Sequence, residues 1–214
     1  MKYKYVLFDF DGTLNETGPG IFAATRATMK EFNIPDIPDS EMKKIVGPPL
    51  MIGFPTILGM AEDIVPLAVA RYRVIAQTVG VDLIKPYPGI LDMLRALKEA
   101  GVFVGVVTSK VQETAEEQVE QFGFKPYLDY LHGAYSDGCG LKADLLREAL
   151  AELDADMGSV VMVGDRFYDI CGAVENGIDS IGVLYGYGSE PELREAGATY
   201  IARTVEELRD MLLS

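Results

Sequence analysis

Two aspartates lie two positions apart where a short apolar segment ends. Asp9 and Asp11 follow the run Tyr5-Val6-Leu7 and come just before Gly12. Side chains at positions i and i+2 of an extended chain point the same way, so the two carboxylates share one site. Two such charges about 4 Å apart repel by roughly 4 kcal/mol at an effective dielectric constant of 20. A cation or a shared proton has to offset this repulsion.

This pair suits a covalent mechanism on a phosphoryl group. One carboxylate can attack phosphorus, while its neighbour protonates the leaving oxygen and later activates water. A turn explains Asp11-Gly12 equally well, because Asp-Gly is a common turn dipeptide. It does not explain Asp9, which interrupts an apolar strand.

A hydroxyl cluster follows a second apolar strand. The β-branched run 102–107 ends in Thr108, Ser109 and Lys110, just before a polar helical pattern. A hydroxyl at a strand end, followed by free N–H groups at a helix start, is typical of an anion site. Ser and Thr are also ordinary helix caps, so this cluster alone indicates little.

Two charged clusters complete the pattern. Lys142 opens an amphipathic segment after the glycine-rich turn 137–140, and a lysine in the first turn of a helix opposes the helix dipole unless an anion lies near it. The apolar run 160–164 ends in Asp165, with Asp169 one helical turn further on. The i, i+4 spacing lets both acids face one point.

Together these clusters resemble a known family. Asp9-x-Asp11-Gly12-Thr13-Leu14, Thr108, Lys142 and Gly164-Asp165-x-x-x-Asp169 are similar, in this order, to the four motifs of the haloacid dehalogenase superfamily of phosphatases. The resemblance implies that Asp9 is the nucleophile and Asp11 the general acid and base. It further implies a Mg²⁺ ion held by Asp9, the backbone carbonyl of Asp11 and Asp165, with Asp169 binding its waters or steadying its ligands.

The same resemblance implies how phosphate is bound. Thr108 and the backbone N–H groups of Gly12 and Ser109 would take the phosphate oxygens, and Lys142 would neutralise charge shared by Asp9 and the transferred group. Two positions depart from many relatives: Ala143 replaces a common proline, and Arg166 stands where a small residue is usual.

Composition agrees with an enzyme that acts on small molecules. The chain has 214 residues, of which 49% are hydrophobic, and 19 basic against 33 acidic residues give a net charge of −14. Such a charge argues against a nucleic-acid polymer as partner. No apolar run nears the roughly 20 residues that span a bilayer, so we expect no membrane partner and a cytoplasmic address. His132, the only histidine, follows a short apolar strand and is expected to be structural.

The elements that must position these residues alternate along most of the chain. After residue 85 the pattern predicts helices at 89–100, 112–122, 142–153, 168–176 and 205–213, and strands at 102–108, 129–133, 159–164, 178–183 and 199–202. This alternation predicts an α/β fold, a doubly wound parallel sheet built from residues 1–15 and 85–214. Ligands bind beyond the carboxyl ends of the strands in such sheets, where the clusters fall.

Residues 16–84 break the rhythm with helical patterns only. The insertion resembles the helical cap of phosphoglycolate phosphatase-like members, hinged near 16–18 and 85–88, and would hang over the site. We expect the stiff loop Gly47-Pro48-Pro49-Leu50 to face substrate. Candidate anion-binding cations are Arg26, Lys30, Lys43, Lys44, Arg71 and Arg73, and candidate stacking aromatics are Phe22, Phe54 and Tyr72.

The expected activity is Mg²⁺-dependent hydrolysis of a small phosphorylated metabolite through an aspartyl phosphate. We rank 2-phosphoglycolate first and a nucleoside monophosphate second. A sugar phosphomutase would use the same aspartates, and a phospho-acceptor signalling module also combines an Asp, a Thr or Ser, a Lys and Mg²⁺. A dehalogenase is disfavoured because it gains nothing from Asp165 and Asp169. The sequence makes no prediction of oligomeric state.

Overall fold

The computed structural model describes residues 1–136 and 141–214, so the predicted turn at 137–140 lies outside the described residues. The strands are β1 (Tyr5–Phe8), β2 (Asn15–Glu16), β3 (Lys85–Pro86), β4 (Phe103–Val111), β5 (Tyr130–Ala134), β6 (Val160–Gly164), β7 (Asp179–Val183) and β8 (Tyr200–Ala202). The helices are α1 (Gly18–Glu31), α2 (Asp39–Met42), α3 (Leu50–Leu58), α4 (Val65–Ala76), α5 (Ile90–Glu99), α6 (Gln112–Gln121), α7 (Lys142–Leu153), α8 (Phe167–Glu175), α9 (Glu190–Glu195) and α10 (Val205–Leu213).

Six strands form one parallel sheet in the order β5-β4-β1-β6-β7-β8. Tyr5 in β1 lies opposite Phe103 in β4 and Val160 in β6, which sets the register at the centre. Side chains alternate between the faces, so Val6 belongs to a core with α5 and α10, and Leu7 to a core with α7 and α8. Burial on both faces accounts for the continuous apolar strands and confirms the predicted doubly wound fold.

One strand end and one short helix differ from the prediction. β4 continues three residues past Thr108 to Val111, with a register shift between these two residues. Helix α6 begins at Gln112, where the pattern predicted it. Helix α9 was not predicted, since its six residues are too few for a hydrophobic period; the Ser189 hydroxyl caps it by accepting from the N–H of Glu192.

The insertion between β1 and α5 is a helical cap. Its helices α1 to α4 enclose a hydrophobic cluster of their own, here called the cap cluster, which contains Met29, Met42, Ile45, Val46, Phe54, Leu58, Met60, Val65, Ala68 and Val69. Where the cap joins the sheet domain, β2 and β3 pair antiparallel, with Glu16 opposite Lys85. The prediction that residues 16–84 are helical throughout is therefore wrong at Glu16. This residue belongs to β2, because the two segments that connect the cap to the sheet domain pair with each other.

The domain boundaries at 15/16 and 84/85 stay a prediction, and both fall on these linker strands, β2 and β3. In the described part of the chain, no helix is long and apolar enough to cross a bilayer.

Candidate active site

The predicted residues gather at the carboxyl ends of the central strands. Asp9 directly follows β1, Asp165 directly follows β6, and Thr108 lies three residues before the end of β4. Parallel strands end at the same edge of a sheet, and the cap helices cover this edge. Between sheet edge and cap lies a cleft of ≈ 710 Å³ whose lining includes Asp9, Asp11 and Thr108.

Three carboxylates form the floor of the site. Asp9, Asp165 and Asp169 are 5%, 0% and 2% exposed, and one carboxylate oxygen from each lies within 4.8 Å of the others. The spacing prediction for Asp165 and Asp169 is met, because α8 begins right after β6 and places Asp169 in its first turn. Asp11 is outside this group of side chains, and the contribution of its backbone carbonyl stays a prediction.

Lys142 supplies the cation that its helix-start position predicted. Its Nζ donates to Asp9 Oδ1 at 2.5 Å and to the Val107 carbonyl at 2.8 Å, and it lies 2.9 Å from Asp169 Oδ1. Burial opposes the charge of this ammonium, but Asp169 and Asp9 outweigh burial, so the pKa of Lys142 is raised. One lysine therefore braces two of the three carboxylates.

The carboxylates carry more negative charge than Lys142 can balance. Burial, followed by the charges of Asp169 and Asp9, raises the pKa of Asp165 well above its usual range. Burial also raises the pKa of Asp169 to about 6, although Lys142 works against this shift. A divalent cation would remove the imbalance, and an all-oxygen donor set is what Mg²⁺ prefers. The donor set of Asp9, Asp165 and Asp169 thus fits such an ion.

Asp11 sits apart from the carboxylate floor and faces the cleft. Its Oδ2 lies 3.0 Å from the Nζ of Lys110, and its Oδ1 is buried with no hydrogen-bond partner among the described residues. The Lys110 ammonium also lies 6.0 Å from the centre of the Phe10 ring. The sequence pointed to Lys110 only as the end of the Thr108-Ser109-Lys110 cluster, and its pairing with Asp11 was not predicted.

Gly12 and Thr108 are held tightly. Gly12 has φ +85°, and a Cβ there would lie 2.4 Å from Asp165 Oδ2, so only glycine fits beside the carboxylate. Thr108 is buried, and its hydroxyl oxygen accepts from the N–H of Lys110 at 3.2 Å. Ser109 lines the cleft next to it. The phosphate-binding roles of these residues stay predictions.

Asp165 is oriented by two contacts that were not predicted. Thr13 donates its hydroxyl to Asp165 Oδ1 at 3.3 Å, and the backbone N–H of Tyr187 donates to Asp165 Oδ2 at 2.8 Å. Tyr187 belongs to the loop after β7, which reads Gly186-Tyr187-Gly188. Two glycines that flank an aromatic residue after a strand end are a signal of close backbone approach, and could have marked this loop.

Arg166 connects the sheet domain to the cap. Its Nη1 donates to the Val46 carbonyl at 2.5 Å, and its Nε donates to Glu192 at 2.8 Å. The side chain is 9% exposed, so the residue that departs from many relatives is neither solvated nor a lining residue of the cleft. Arg166 directly follows Asp165, so its bond to Val46 connects the cap segment before Gly47 to the backbone next to Asp165.

The cap candidates separate into lining and structural residues. The loop Gly47-Pro48-Pro49-Leu50 lines the cleft as expected, together with Arg73 and Tyr72. Phe54 is fully buried in the cap cluster and cannot stack on a ligand. The other candidates lie outside the cleft lining, and several have acidic or aromatic partners: Arg26 with Asp36 and Asp39, Lys44 with Glu41, Arg71 with Glu31, and Phe22 with Tyr187.

His132 is remote from this chemistry. It is buried in β5, its Nε2 lies 2.9 Å from Glu148 Oε2, and its ring stacks on Tyr130. It does not line the cleft, which agrees with the structural role expected for it.

Comparisons with known proteins agree with the site. A family model described as haloacid dehalogenase-like hydrolase matches residues 6–183. The chain is 33% identical over 216 residues to a 5′-nucleotidase of Pseudomonas aeruginosa, covering 100% of this chain and 97% of that protein. It is 35% identical over 213 residues to the tyrosine-protein kinase PtkA of Mycobacterium tuberculosis, covering 98% of this chain and 72% of that protein. The crystal structure of a predicted phosphatase from Clostridium acetobutylicum superposes with a TM-score of 0.92 at 35% identity and covers 100% of this chain and 99% of that chain.

Proposed function

The chain belongs to the haloacid dehalogenase-like hydrolase family and is one of its phosphatases; we propose that it releases phosphate from small phosphomonoesters with the help of Mg²⁺. The observation that carries this proposal is the buried group Asp9, Asp165 and Asp169, braced by Lys142 under a cleft that Asp11 also faces. Bound Mg²⁺ would supply positive charge to the transferring phosphoryl group and would lower the repulsion between that group and Asp9.

The first half-reaction uses Asp9 and Asp11. A carboxylate oxygen of Asp9 attacks phosphorus, and the bond from phosphorus to the leaving oxygen breaks. The Asp11 carboxyl group gives its proton to that oxygen, so the alcohol leaves neutral and Asp9 carries the phosphoryl group. Lys142, 2.5 Å from Asp9, keeps the carboxylate oriented and offsets its charge.

The second half-reaction regenerates the enzyme. Asp11, now ionised, takes a proton from a water molecule that attacks phosphorus, and the bond to Asp9 breaks to release inorganic phosphate. Lys110 lies 3.0 Å from Asp11 Oδ2, a contact that keeps this carboxylate at the mouth of the site. Because a base lies two residues from the nucleophile, hydrolysis is favoured over the long-lived aspartyl phosphate of a signalling module.

The cleft has room for leaving groups larger than a two-carbon acid. Its volume of ≈ 710 Å³ falls in the range of pockets that hold whole metabolites, roughly 300–1,000 Å³. Tyr72 and Arg73 lie in its lining. A relative named 5′-nucleotidase aligns with the whole chain. We therefore place nucleoside monophosphates ahead of 2-phosphoglycolate, which reverses the order that the sequence suggested.

The test is phosphate release from a panel with Mg²⁺ or with EDTA. The panel holds nucleoside monophosphates, 2-phosphoglycolate, sugar phosphates and pyrophosphate, and Asp9→Asn is the matched variant because it keeps the shape of the side chain. We expect release that needs both Mg²⁺ and Asp9. Undiminished release by a folded Asp9→Asn protein would contradict the nucleophile, and sugar phosphates that isomerise without releasing phosphate would favour the mutase.

A further inference from the structure

The loop that follows β7 presses directly against Asp165. The Tyr187 N–H donates to Asp165 Oδ2 at 2.8 Å. A Cβ on Gly186 would lie 2.4 Å from the Asp165 Cβ, and one on Gly188 would lie 2.0 Å from the Asp165 carbonyl oxygen. The backbone of this loop is therefore packed so closely on Asp165 that no side-chain atom would fit between them. Packing of this density transmits a displacement from one group to the next. Any movement of Tyr187 is therefore passed to the carboxylate.

The side chain of Tyr187 points away from this loop and into the cap. Its ring packs against the cap cluster. It also makes an edge-to-face contact with the Phe22 ring, with 6.3 Å between the two ring centroids. Its hydroxyl oxygen accepts from the N–H of Gly18 at 2.7 Å. Gly18 is the first residue of α1, and Thr17 before it makes no side-chain cap bond, so Tyr187 satisfies a helix-start donor of the cap.

The Tyr187 side chain also lies near the second linker strand, β3. Tyr87, which directly follows β3, lies close to the Tyr187 side chain: burial is the first cause that raises the pKa of Tyr87, and Tyr187 is the next. Gly18 follows β2 by two residues, so the Tyr187 side chain lies beside both linkers between the domains. The contact at Gly18 is tight, since a Cβ there would lie 2.4 Å from the Tyr187 hydroxyl oxygen.

We propose that Tyr187 is a positioning residue that couples the linker strands of the cap to the carboxylate of Asp165. The inference rests on the proposed function, in which Asp165 holds Mg²⁺. When the cap shifts on its linkers, Gly18 carries the hydroxyl with it, and the Tyr187 backbone N–H moves against Asp165 Oδ2. The metal-binding geometry then depends on the position of the cap.

The experiment changes the contact between Gly18 and the Tyr187 hydroxyl and measures the effect at Asp165 and its loop. Gly18→Ala pushes on the hydroxyl from the cap side, and Tyr187→Phe removes the hydroxyl while keeping the ring and the backbone N–H. In the double variant the added methyl group still meets the ring, 2.6 Å from the position of the Tyr187 Cζ, but the hydroxyl that accepts from the Gly18 N–H is gone. Lys85→Ala is the control, because it removes only an exposed pair with Glu16 (3.6 Å) between the two linker strands.

Two readouts are taken without substrate. One is the Mg²⁺ concentration that gives half of the thermal stabilisation by the metal alone. The other is amide hydrogen exchange in residues 185–188. We expect Gly18→Ala and Tyr187→Phe each to raise the half-saturating Mg²⁺ concentration by roughly threefold to tenfold, the effect of one lost hydrogen bond, and to speed exchange in the loop. The effect of the double variant should fall short of the sum of the two single effects, because coupled positions are non-additive.

Wild-type values for Gly18→Ala in both readouts, or additive effects in the double variant, would overturn the coupling. The inference and the proposed function fail separately. If the wild-type protein gains no stability from Mg²⁺, the proposed metal site is wrong, and exchange in 185–188 decides the inference alone: faster exchange in Gly18→Ala supports it and unchanged exchange overturns it. If phosphate release and Mg²⁺ binding are intact in every variant, the function stands and the coupling is wrong.

Discussion

Replacing Lys142 by methionine should destabilise the protein strongly and in a pH-dependent way. Methionine keeps most of the apolar stem but removes the ammonium, which contacts Asp9 at 2.5 Å, Asp169 at 2.9 Å and the Val107 carbonyl at 2.8 Å. The Lys142 and Asp9 side chains are only 4% and 7% exposed. Water therefore cannot replace the lost partner, and the carboxylates are left to repel one another.

The size of the effect follows from the class of interaction. Breaking a buried ion pair by removing one partner costs about 3–5 kcal/mol. For a domain of this length each kcal/mol lowers Tm by roughly 2–4 °C, so we expect a fall of roughly 6–20 °C for Lys142→Met in EDTA near pH 8. The loss should shrink near pH 5, because the freed carboxyl groups then take up protons and the repulsion between them disappears.

The assay is thermal unfolding in EDTA at both pH values, with Lys98→Met as the control. Lys98 also contacts an acid, Asp129, at 2.5 Å, but the two side chains are 31% and 29% exposed. Such a pair contributes about 1 kcal/mol or less, so its loss should lower Tm by no more than roughly 4 °C. If Lys142→Met falls no further than Lys98→Met near pH 8, the carboxylates are not left unpaired and the electrostatic account of the site is wrong.

Three further predictions concern the pH, the cap contact and the loop on Asp165. In EDTA the wild-type Tm should fall as the pH rises from about 5 to 8. The pKa of Asp169 is about 6 in the fold against 3.8 as a free side chain, so the folded protein binds the extra proton. Of the about 3 kcal/mol that this shift contributes at low pH, roughly 1–2 kcal/mol remains at pH 5 and is lost by pH 8 as the proton leaves. Mg²⁺ should flatten this slope, and a Tm that rises over the interval would contradict it. Arg166→Met should raise KM several-fold with a smaller change in kcat, because it frees the Val46 segment of the cap; unchanged KM in steady-state phosphate release would refute the contact's role. Gly188→Ala should cost about 1–3 kcal/mol in denaturant unfolding, since its Cβ would lie 2.0 Å from a backbone oxygen; Gly158→Ala, whose nearest atom is 3.8 Å away, is the control and should stay near wild type.

Local patterns in the sequence determined most of the sheet domain. Helices α7 and α10 begin and end where their apolar periods predicted, and the strands of the sheet were placed to within a few residues. The carboxyl ends of neighbouring parallel strands lie at the same edge of the sheet. The residues that directly follow β1 and β6 therefore lie close together at that edge. For this reason the grouping of Asp9, Asp165 and Asp169 was visible in the sequence.

Only the tertiary structure decided which residues hold these groups in place. Tyr187 reaches Asp165 from 22 positions away, and Arg166 reaches Val46 from 120 positions away. The first contact depends on how the loops after β6 and β7 meet, and the second on how the cap packs on the sheet domain. The glycines beside Tyr187 mark its loop, but no local pattern names the partner of either contact. The same limit applies to the cap, where Phe54 is buried and Tyr72 lines the cleft although both have the same spacing relative to apolar neighbours in their helices. The chemistry of the site follows from short motifs, while its geometry and the cleft above it follow from long-range packing.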